Sequence, residues 1–177
     1  CELAAYLHNK DMEINVWDRI IAFEGRMHEF IKAAYDYQDN TFYSHPGYYI
    51  DYFEMRLAQL QVLHNLHYEI KKIRKMPKQA LVIADYIMYM ADYVVEMNIP
   101  DQQIEKLEEI SEQMKQEELP KTREEFEGRA LLYHILMDLE EFLVYKKRFV
   151  NGLDEKKLRI YWKQEMEQQD NVNESQN

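Results

Sequence analysis

Apolar residues recur at alternating steps of three and four along most of the chain, the spacing that places side chains on one face of an α-helix. The first run covers residues 11–38, with a predicted core seam of Val16, Ile20, Phe23, Met27, Phe30, Ala34 and Tyr37. Gly25 lies inside this predicted helix, where glycine costs about 1 kcal/mol relative to alanine. Close approach of a second helix is the preferred explanation for it, and a hinge is the alternative.

Two further long helices are predicted on the same grounds. After a breaker-rich loop over residues 39–47, residues 48–75 carry a buried stripe of Phe53, Leu57, Leu60, Leu63, Leu66, Ile70 and Ile73. Residues 77–98 carry apolar side chains on two neighbouring seams, which predicts deep burial between other helices. The remaining side of this third helix combines acidic and aromatic residues, namely Asp85, Tyr86, Tyr89, Asp92, Tyr93 and Glu96.

The helix with the strongest local signals covers residues 120–151. Thr122 followed by Glu125 is a capping box, and Glu125 with Arg129 is a favourable ion pair one turn apart. One apolar ridge follows, formed by Leu132, Leu136, Leu139 and Leu143. The cations of the last turns complement the helix dipole; these are Lys146, Lys147 and Arg148. Gly152 is placed to end the helix.

These patterns predict an all-α fold, an antiparallel bundle of four long helices with one or two shorter peripheral helices. The shorter elements are an acidic helix before residue 119, a brief helix in the first nine residues and a charged segment after Gly152. No boundary divides the chain, so residues 1–169 are expected to form a single domain. The polar tail, residues 170–177, is expected to be disordered.

Composition narrows the range of partners. The 177 residues carry a formal net charge of −11, which disfavours nucleic acid because phosphate binding needs a positive face. The single cysteine, Cys1, excludes an internal disulfide framework. Its position fits a chain cut from a longer protein better than a lipidated terminus. No run reaches the roughly 18–20 apolar residues that a membrane-spanning helix requires.

The sequence contains no complete motif for metal binding or catalysis. No histidine has a glutamate three residues before it, which excludes the paired Glu-x-x-His pattern of di-iron bundles. His64 and His67 share a helix face, but a core-flanking role is the better interpretation, and His134 is expected to be a core histidine. No phosphate loop, nucleophile elbow or zinc-protease motif occurs. We therefore expect no metal, no cofactor and no enzymatic activity.

The acidic and aromatic side of the third predicted helix is the candidate ligand site. Its tyrosines could stack on an aromatic ligand while its carboxylates line the rest of a pocket. The same row equally fits the solvated edge of a buried helix, and that interpretation is favoured because charged rows usually face water.

The segment PKTREEFEGRALLYHILMDLEEFLVYKKRF resembles the C-terminal segment of bacterial membrane proteins called putative aromatic acid exporters. The matching residues are Pro120, Thr122, Arg123, Glu124, Glu125, Phe126, Glu127, Arg129, Ala130, Ile135, Leu136, Asp138, Leu139 and Phe142. The resemblance implies a helical domain that follows a membrane region and lies on the cytoplasmic face of the cell membrane. It also implies that the motif residues are structural and that the main partner is the membrane domain of the same polypeptide.

Two functions remain open at this point. The first is a non-catalytic cytoplasmic domain of such a membrane protein, with a regulatory or assembly role. The second is a stand-alone helical ligand-binding protein or lipoprotein. Bundles of this kind often form homo-oligomers, although nothing in the sequence requires one, and the small-molecule ligand is not defined by either hypothesis.

Overall fold

The computed structural model describes residues 2–9, 15–40, 46–74 and 76–153, together with residues 157, 160 and 162. All regular structure in these ranges is helical, which confirms the predicted all-α class. The helices are α1 Glu2–Asn9, α2 Asn15–Asn40, α3 Pro46–Lys72, α4 Ala80–Ala91, α5 Asp101–Gln116 and α6 Arg123–Asn151. Cys1 and the tail over residues 170–177 lie outside the described residues. The single-domain assignment of residues 1–169 stays a prediction.

The helix α3 lies between α2 and α6 and contacts both. Its course relative to α6 is antiparallel, because Tyr48 near its start packs on Phe149 and Gln59 further along meets Phe142. The main core joins α1, α3, α4, α5 and α6, with fully buried members Leu7, Leu66, Ile70, Ile83, Leu132 and Ile135. Burial of both faces of α3 therefore holds the bundle together.

The start of α6 follows the predicted capping chemistry. The Thr122 hydroxyl accepts a hydrogen bond from the backbone N–H of Glu125 at 3.1 Å. The Glu125 carboxylate accepts from the N–H of Lys121 at 2.9 Å, one residue before the usual capping-box donor. The same carboxylate pairs with Arg129 at 2.8 Å. The predicted leucine ridge is buried along its whole length, at Leu132, Leu136, Leu139 and Leu143.

The third predicted helix is shorter than its sequence pattern indicated. A helix over residues 77–98 was expected, but α4 ends at Ala91 and turns follow as far as Pro100. The N–H of Tyr93 bonds back to the Met90 carbonyl at 2.9 Å, closing a tight last turn. The Asn98 side chain then donates to the Tyr93 carbonyl at 3.0 Å, which satisfies an acceptor that a longer helix would have used.

The predicted core seam of α2 is only half buried. Ile20 and Met27 are buried, whereas Phe23, Phe30 and Tyr37 are 42%, 45% and 55% exposed. The reason is that α2 packs extensively on α3 alone, and none of its described side chains belongs to the main core. Three of the predicted core residues thus lie at the edge of a two-helix contact.

The packing explanation for Gly25 is wrong. A methyl group built at this position meets no atom within 4 Å, and the residue is exposed. No neighbouring helix among the described residues approaches it.

Gly25→Ala is therefore expected to raise the free energy of unfolding by about 1 kcal/mol, because alanine loses less backbone entropy in a helix and meets no obstacle here. Urea denaturation measures the change. Ala33→Gly, the opposite exchange at an exposed position of the same helix, is the matched control and should lower the free energy of unfolding by a similar amount. A destabilised Gly25→Ala protein would show instead that this glycine serves as a hinge or contact.

Candidate functional site

An apolar cavity of ≈ 410 Å³ lies between α2 and α3, bordered by α6 and by the segment that follows α4. We call it the α2–α3 groove. Its aromatic lining residues are Phe23, Tyr52, Phe53 and Phe142, and its aliphatic lining residues are Met27, Leu60, Leu63 and Val94. The remaining lining residues, Arg56 and Gln59, are polar. A mainly hydrocarbon cavity with a few convergent polar groups is the usual form of a small-molecule site.

Arg56 is fixed in place by uncharged groups. Its Nε donates to the Tyr52 hydroxyl at 3.1 Å, and its Nη1 donates to the Gln59 side-chain oxygen at 3.0 Å. The guanidinium also lies 5.1 Å from the centre of the Tyr52 ring. Gln59 is only 3% exposed and donates its amide N–H to the Phe142 carbonyl at 2.9 Å. Within the described chain, no carboxylate forms an ion pair with Arg56.

A second cation lies beside the groove in what we call the Lys146 cluster, formed by Tyr48, Glu96, Lys146 and Trp162. Lys146 is 5% exposed, donates to the backbone carbonyl of Glu96 and lies 5.6 Å from the Trp162 ring. The Tyr48 hydroxyl donates to the Glu96 carboxylate at 2.5 Å and accepts from the Trp162 indole N–H at 3.2 Å. Burial, together with a smaller effect of the nearby charge of Arg56, lowers the pKa of Lys146 to about 8, while Glu96 opposes both.

The predicted ligand row is divided between different parts of the fold. The Tyr86 hydroxyl donates to the Gln103 carbonyl at 2.7 Å, and burial raises the Tyr86 pKa. The Tyr89 hydroxyl accepts from the Gln103 amide at 3.3 Å, with the Lys106 ammonium 4.0 Å from the centre of its ring and the Tyr93 ring tilted against it at a centroid distance of 4.8 Å. Tyr86 and Tyr89 thus hold the start of α5 against α4, and Tyr93 packs on Tyr89.

The three acidic members of the row have different surroundings. Asp85 is exposed on α4, Asp92 caps the end of that helix, and Glu96 belongs to the Lys146 cluster. The row was expected on one continuous helix, and the end of α4 at Ala91 breaks it. Ligand binding by these residues stays a prediction, and the structure does not gather them on one helix face.

Sequence reasoning missed the α2–α3 groove. A signal existed, since Arg56 and Gln59 are polar residues three apart that lie directly beside the predicted apolar stripe of α3. The sequence could not indicate the walls that α2 and α6 contribute, because Phe23 and Phe142 lie far from Arg56 along the chain.

The family-like motif of α6 borders a larger but more polar cavity of ≈ 580 Å³. Arg129 faces it, yet its Nη2 pairs with Glu125 at 2.8 Å and with Glu117 at 3.9 Å. Arg123 pairs with Glu127 at 2.9 Å, and Glu124 and Phe126 are exposed. Of the cations that line this cavity, Arg129 and Lys121 already pair with carboxylates, and glutamates line it as well, so it is the weaker candidate for binding an anion.

Three further titratable groups of the described ranges are His67, His134 and Asp138. His67 is buried, and burial lowers its pKa, with smaller contributions from Lys71 and His64. His134 is exposed, contrary to the expected core position. Burial raises the pKa of Asp138, and Glu69 and Glu141 add to this. No group of three or more His, Cys, Asp or Glu residues in the described ranges is placed to hold a metal ion.

Comparison with known proteins connects this fold to a family. The family model described as the putative aromatic acid exporter C-terminal domain matches residues 1–147. The chain belongs to this family. None of the helices in the described ranges is both long and apolar enough to cross a bilayer.

The chain is also similar to two individual proteins. The uncharacterized protein YqjA of Bacillus subtilis (strain 168) is 29% identical over 116 residues, which cover 66% of this chain and 36% of that protein. The chain thus matches about a third of the length of this curated relative. The crystal structure of a putative membrane protein from Clostridium difficile 630 has a TM-score of 0.75 and 25% identity. That similarity covers 84% of this chain and 86% of the other.

The lowered Lys146 pKa predicts a pH-dependent stability. Below about pH 8 the ammonium is charged in both the folded and the unfolded chain, so burial destabilises the fold in full. Between about 8 and the usual 10.5 the folded chain releases this proton first, and the penalty disappears. Relative to a Lys146→Met variant, the stability of the unmodified chain should therefore rise over this range, by up to about 3 kcal/mol.

Urea denaturation of both proteins at about pH 7 and about pH 10 measures this difference. Lys147→Met, which removes a half-exposed ammonium on the same turn of α6, is the matched control for loss of charge. An equal pH dependence in the two variants would contradict a special role for the burial of Lys146.

Proposed function

We propose that this chain is a non-catalytic regulatory domain on the cytoplasmic face of a membrane protein of the putative aromatic acid exporter type. Its membership of the family supports the membrane-protein context. The curated relative is much longer than the matched segment, which supports a role as one part of a larger polypeptide. In this proposal the domain binds a small molecule in the α2–α3 groove and changes its contact with the membrane domain.

The observation that carries the regulatory role is the attachment of α2. Among the described helices, α2 packs extensively only on α3, and the groove lies at that contact. A ligand that fits one arrangement of α2 better than another would shift the population towards it. The outer aromatic side chains of α2, such as Phe30 and Tyr37, are exposed, so such a shift would change a surface that a neighbouring domain can contact.

A binding role is better supported than a catalytic one. Among the described residues that line the groove there is no carboxylate, histidine, cysteine or serine, so they offer no acid–base pair and no activated nucleophile. Arg56 and Gln59 provide hydrogen bonds and charge, which suit recognition.

The test uses the complete membrane protein in bacterial cells, with and without this domain, and measures membrane content and efflux of benzoate. We expect the full-length protein in the membrane fraction. Removal of the domain should leave its membrane content similar while changing the efflux rate. Leu60→Trp, which fills the groove, should also change the efflux rate, whereas Leu119→Trp at an exposed position should not.

Three results would contradict the proposal. Loss of the protein from the membrane on domain removal would indicate an assembly role instead. Unchanged efflux in both the deletion and the Leu60→Trp protein would exclude regulation. A natural protein consisting of this chain alone in the cytosol would favour a stand-alone binding protein.

A further inference from the structure

We propose that this chain forms a symmetric dimer in which α2 packs antiparallel against α2 of a second copy. The contact is made by what we call the outer seam of α2, six exposed residues that follow one another at steps of four and three, namely Arg19, Phe23, Arg26, Phe30, Ala33 and Tyr37. The dimer depends neither on a ligand in the α2–α3 groove nor on the regulatory role proposed above.

The apolar residues of α2 form two rows that each repeat every seven residues, and only one row is covered. The first row lies on the side of α3, where Ile20 and Met27 are buried and Ala34 is half-buried. The second row consists of the three rings of the outer seam, and all three are exposed. In a coiled coil, two such rows together fill one contact between helices. Because α3 covers the first row alone, α2 presents the second row to a further helix.

The two edges of the α2–α3 contact differ in chemistry. One edge is polar, since the Tyr35 hydroxyl donates to the Glu54 carboxylate at 2.9 Å. The outer seam lies along the other edge, where the rings of Phe30 and Phe53 stack at a centroid distance of 5.3 Å. Phe30 remains 45% exposed despite this contact. Aromatic rings aligned on one exposed helix face gain most from burial against another apolar surface.

Charge complementarity identifies the second copy as the occupant and sets its direction. The Arg26 guanidinium lies 4.9 Å from the centre of the Phe23 ring and therefore stays on the outer seam, while Asp36 lies exposed at the edge of this seam. In an antiparallel pair centred on Phe30, Arg26 is level with Ala34 of the second copy and only about 3 Å along the axis from its Asp36. Two-fold symmetry forms this ion pair twice. A parallel pair would instead bring the two Arg26 side chains to the same level, where like charges repel.

The same alignment matches the remaining side chains of the outer seam. Phe30 meets its own copy at the two-fold axis, and Phe23 is level with Tyr37 of the second copy. Ala33 lies beside Arg26 of the second copy, so a small side chain faces a long one. Large and small groups thus alternate across the contact, as interdigitating helices require.

The length of the outer seam sets the strength of the dimer. From Arg19 to Tyr37 the helix rises about 27 Å. Two helices in contact over this length form an interface at the small end of the specific range, which begins near about 1,000 Å². We therefore expect a dissociation constant in the micromolar range and not in the nanomolar range.

Sedimentation velocity of the 177-residue chain between about 1 and 200 µM tests the proposal. The weight-average mass should rise from that of one chain towards that of two. Ala33→Arg places a cation beside Arg26 of the second copy and should raise the dissociation constant at least about tenfold. Ala33→Glu places an anion there and should not weaken the dimer. His28→Arg, which adds positive charge at an exposed position on the opposite side of α2, is the matched control and should leave the dimer unchanged.

A charge exchange tests the antiparallel pairing directly. Adding Arg26→Glu to Ala33→Arg converts the repulsion between the two copies into attraction and should recover most of the association. Phe30→Asp places two carboxylates at the two-fold axis and should abolish the dimer. Circular dichroism and thermal unfolding establish that each variant is folded. The Ala33 variants keep the test decisive if Phe30→Asp disturbs the stack on Phe53, because Ala33 is exposed.

The proposal is overturned if the folded chain stays monomeric over this concentration range. It is also overturned if the chain dimerises but Ala33→Arg has no more effect than His28→Arg, since the interface then lies elsewhere. A monomeric chain that sediments with phosphatidylglycerol vesicles, and loses this binding in Arg26→Glu, overturns the dimer and indicates that the outer seam faces a bilayer.

Discussion

The position of α3 between two antiparallel neighbours is the constraint on which the rest of this structure depends. One side of α3 buries Leu66 and Ile70 in the main core, and another carries α2. A helix that buries two faces cannot present a narrow apolar stripe, and its sequence accordingly mixes apolar residues around most of its circumference. Because α2 depends on this one neighbour, its flank remains open, and the α2–α3 groove forms along that flank.

Two cations at the contact of α3 with α6 give this open flank its chemistry. Arg56 is held by Tyr52 and Gln59, and Lys146 is held by the Glu96 carbonyl. Neutral acceptors satisfy their N–H groups without cancelling their charge, which leaves positive potential in a strongly acidic chain. Burial of Lys146 opposes folding, and the contacts that join α3, α6 and the segment after α4 compensate for it.

Family membership and geometry contribute different parts of the functional argument. The family places this fold in proteins described as putative aromatic acid exporters, and the curated relative extends well beyond the matched segment. The α6 motif that is most characteristic in sequence forms a helix start with matched ion pairs, and its structural role stays a prediction. The α2–α3 groove lacks such a sequence signature, because its walls come from separate helices. Its positive charge is evident only from the structure, in which no carboxylate of the described chain forms an ion pair with Arg56.

The sequence by itself determined the all-α class, the positions of most helices, the Thr122 cap and the buried leucine ridge of α6. These features depend on local spacing and on hydrogen bonds between near neighbours, which a single stretch of chain encodes. Tertiary structure decided that α4 ends at Ala91, that Phe23 stays half exposed and that Lys146 is buried. An apolar face shows that a helix can be covered but not by which partner, and the Glu96 carbonyl meets Lys146 only because the fold brings the segment after α4 against α6.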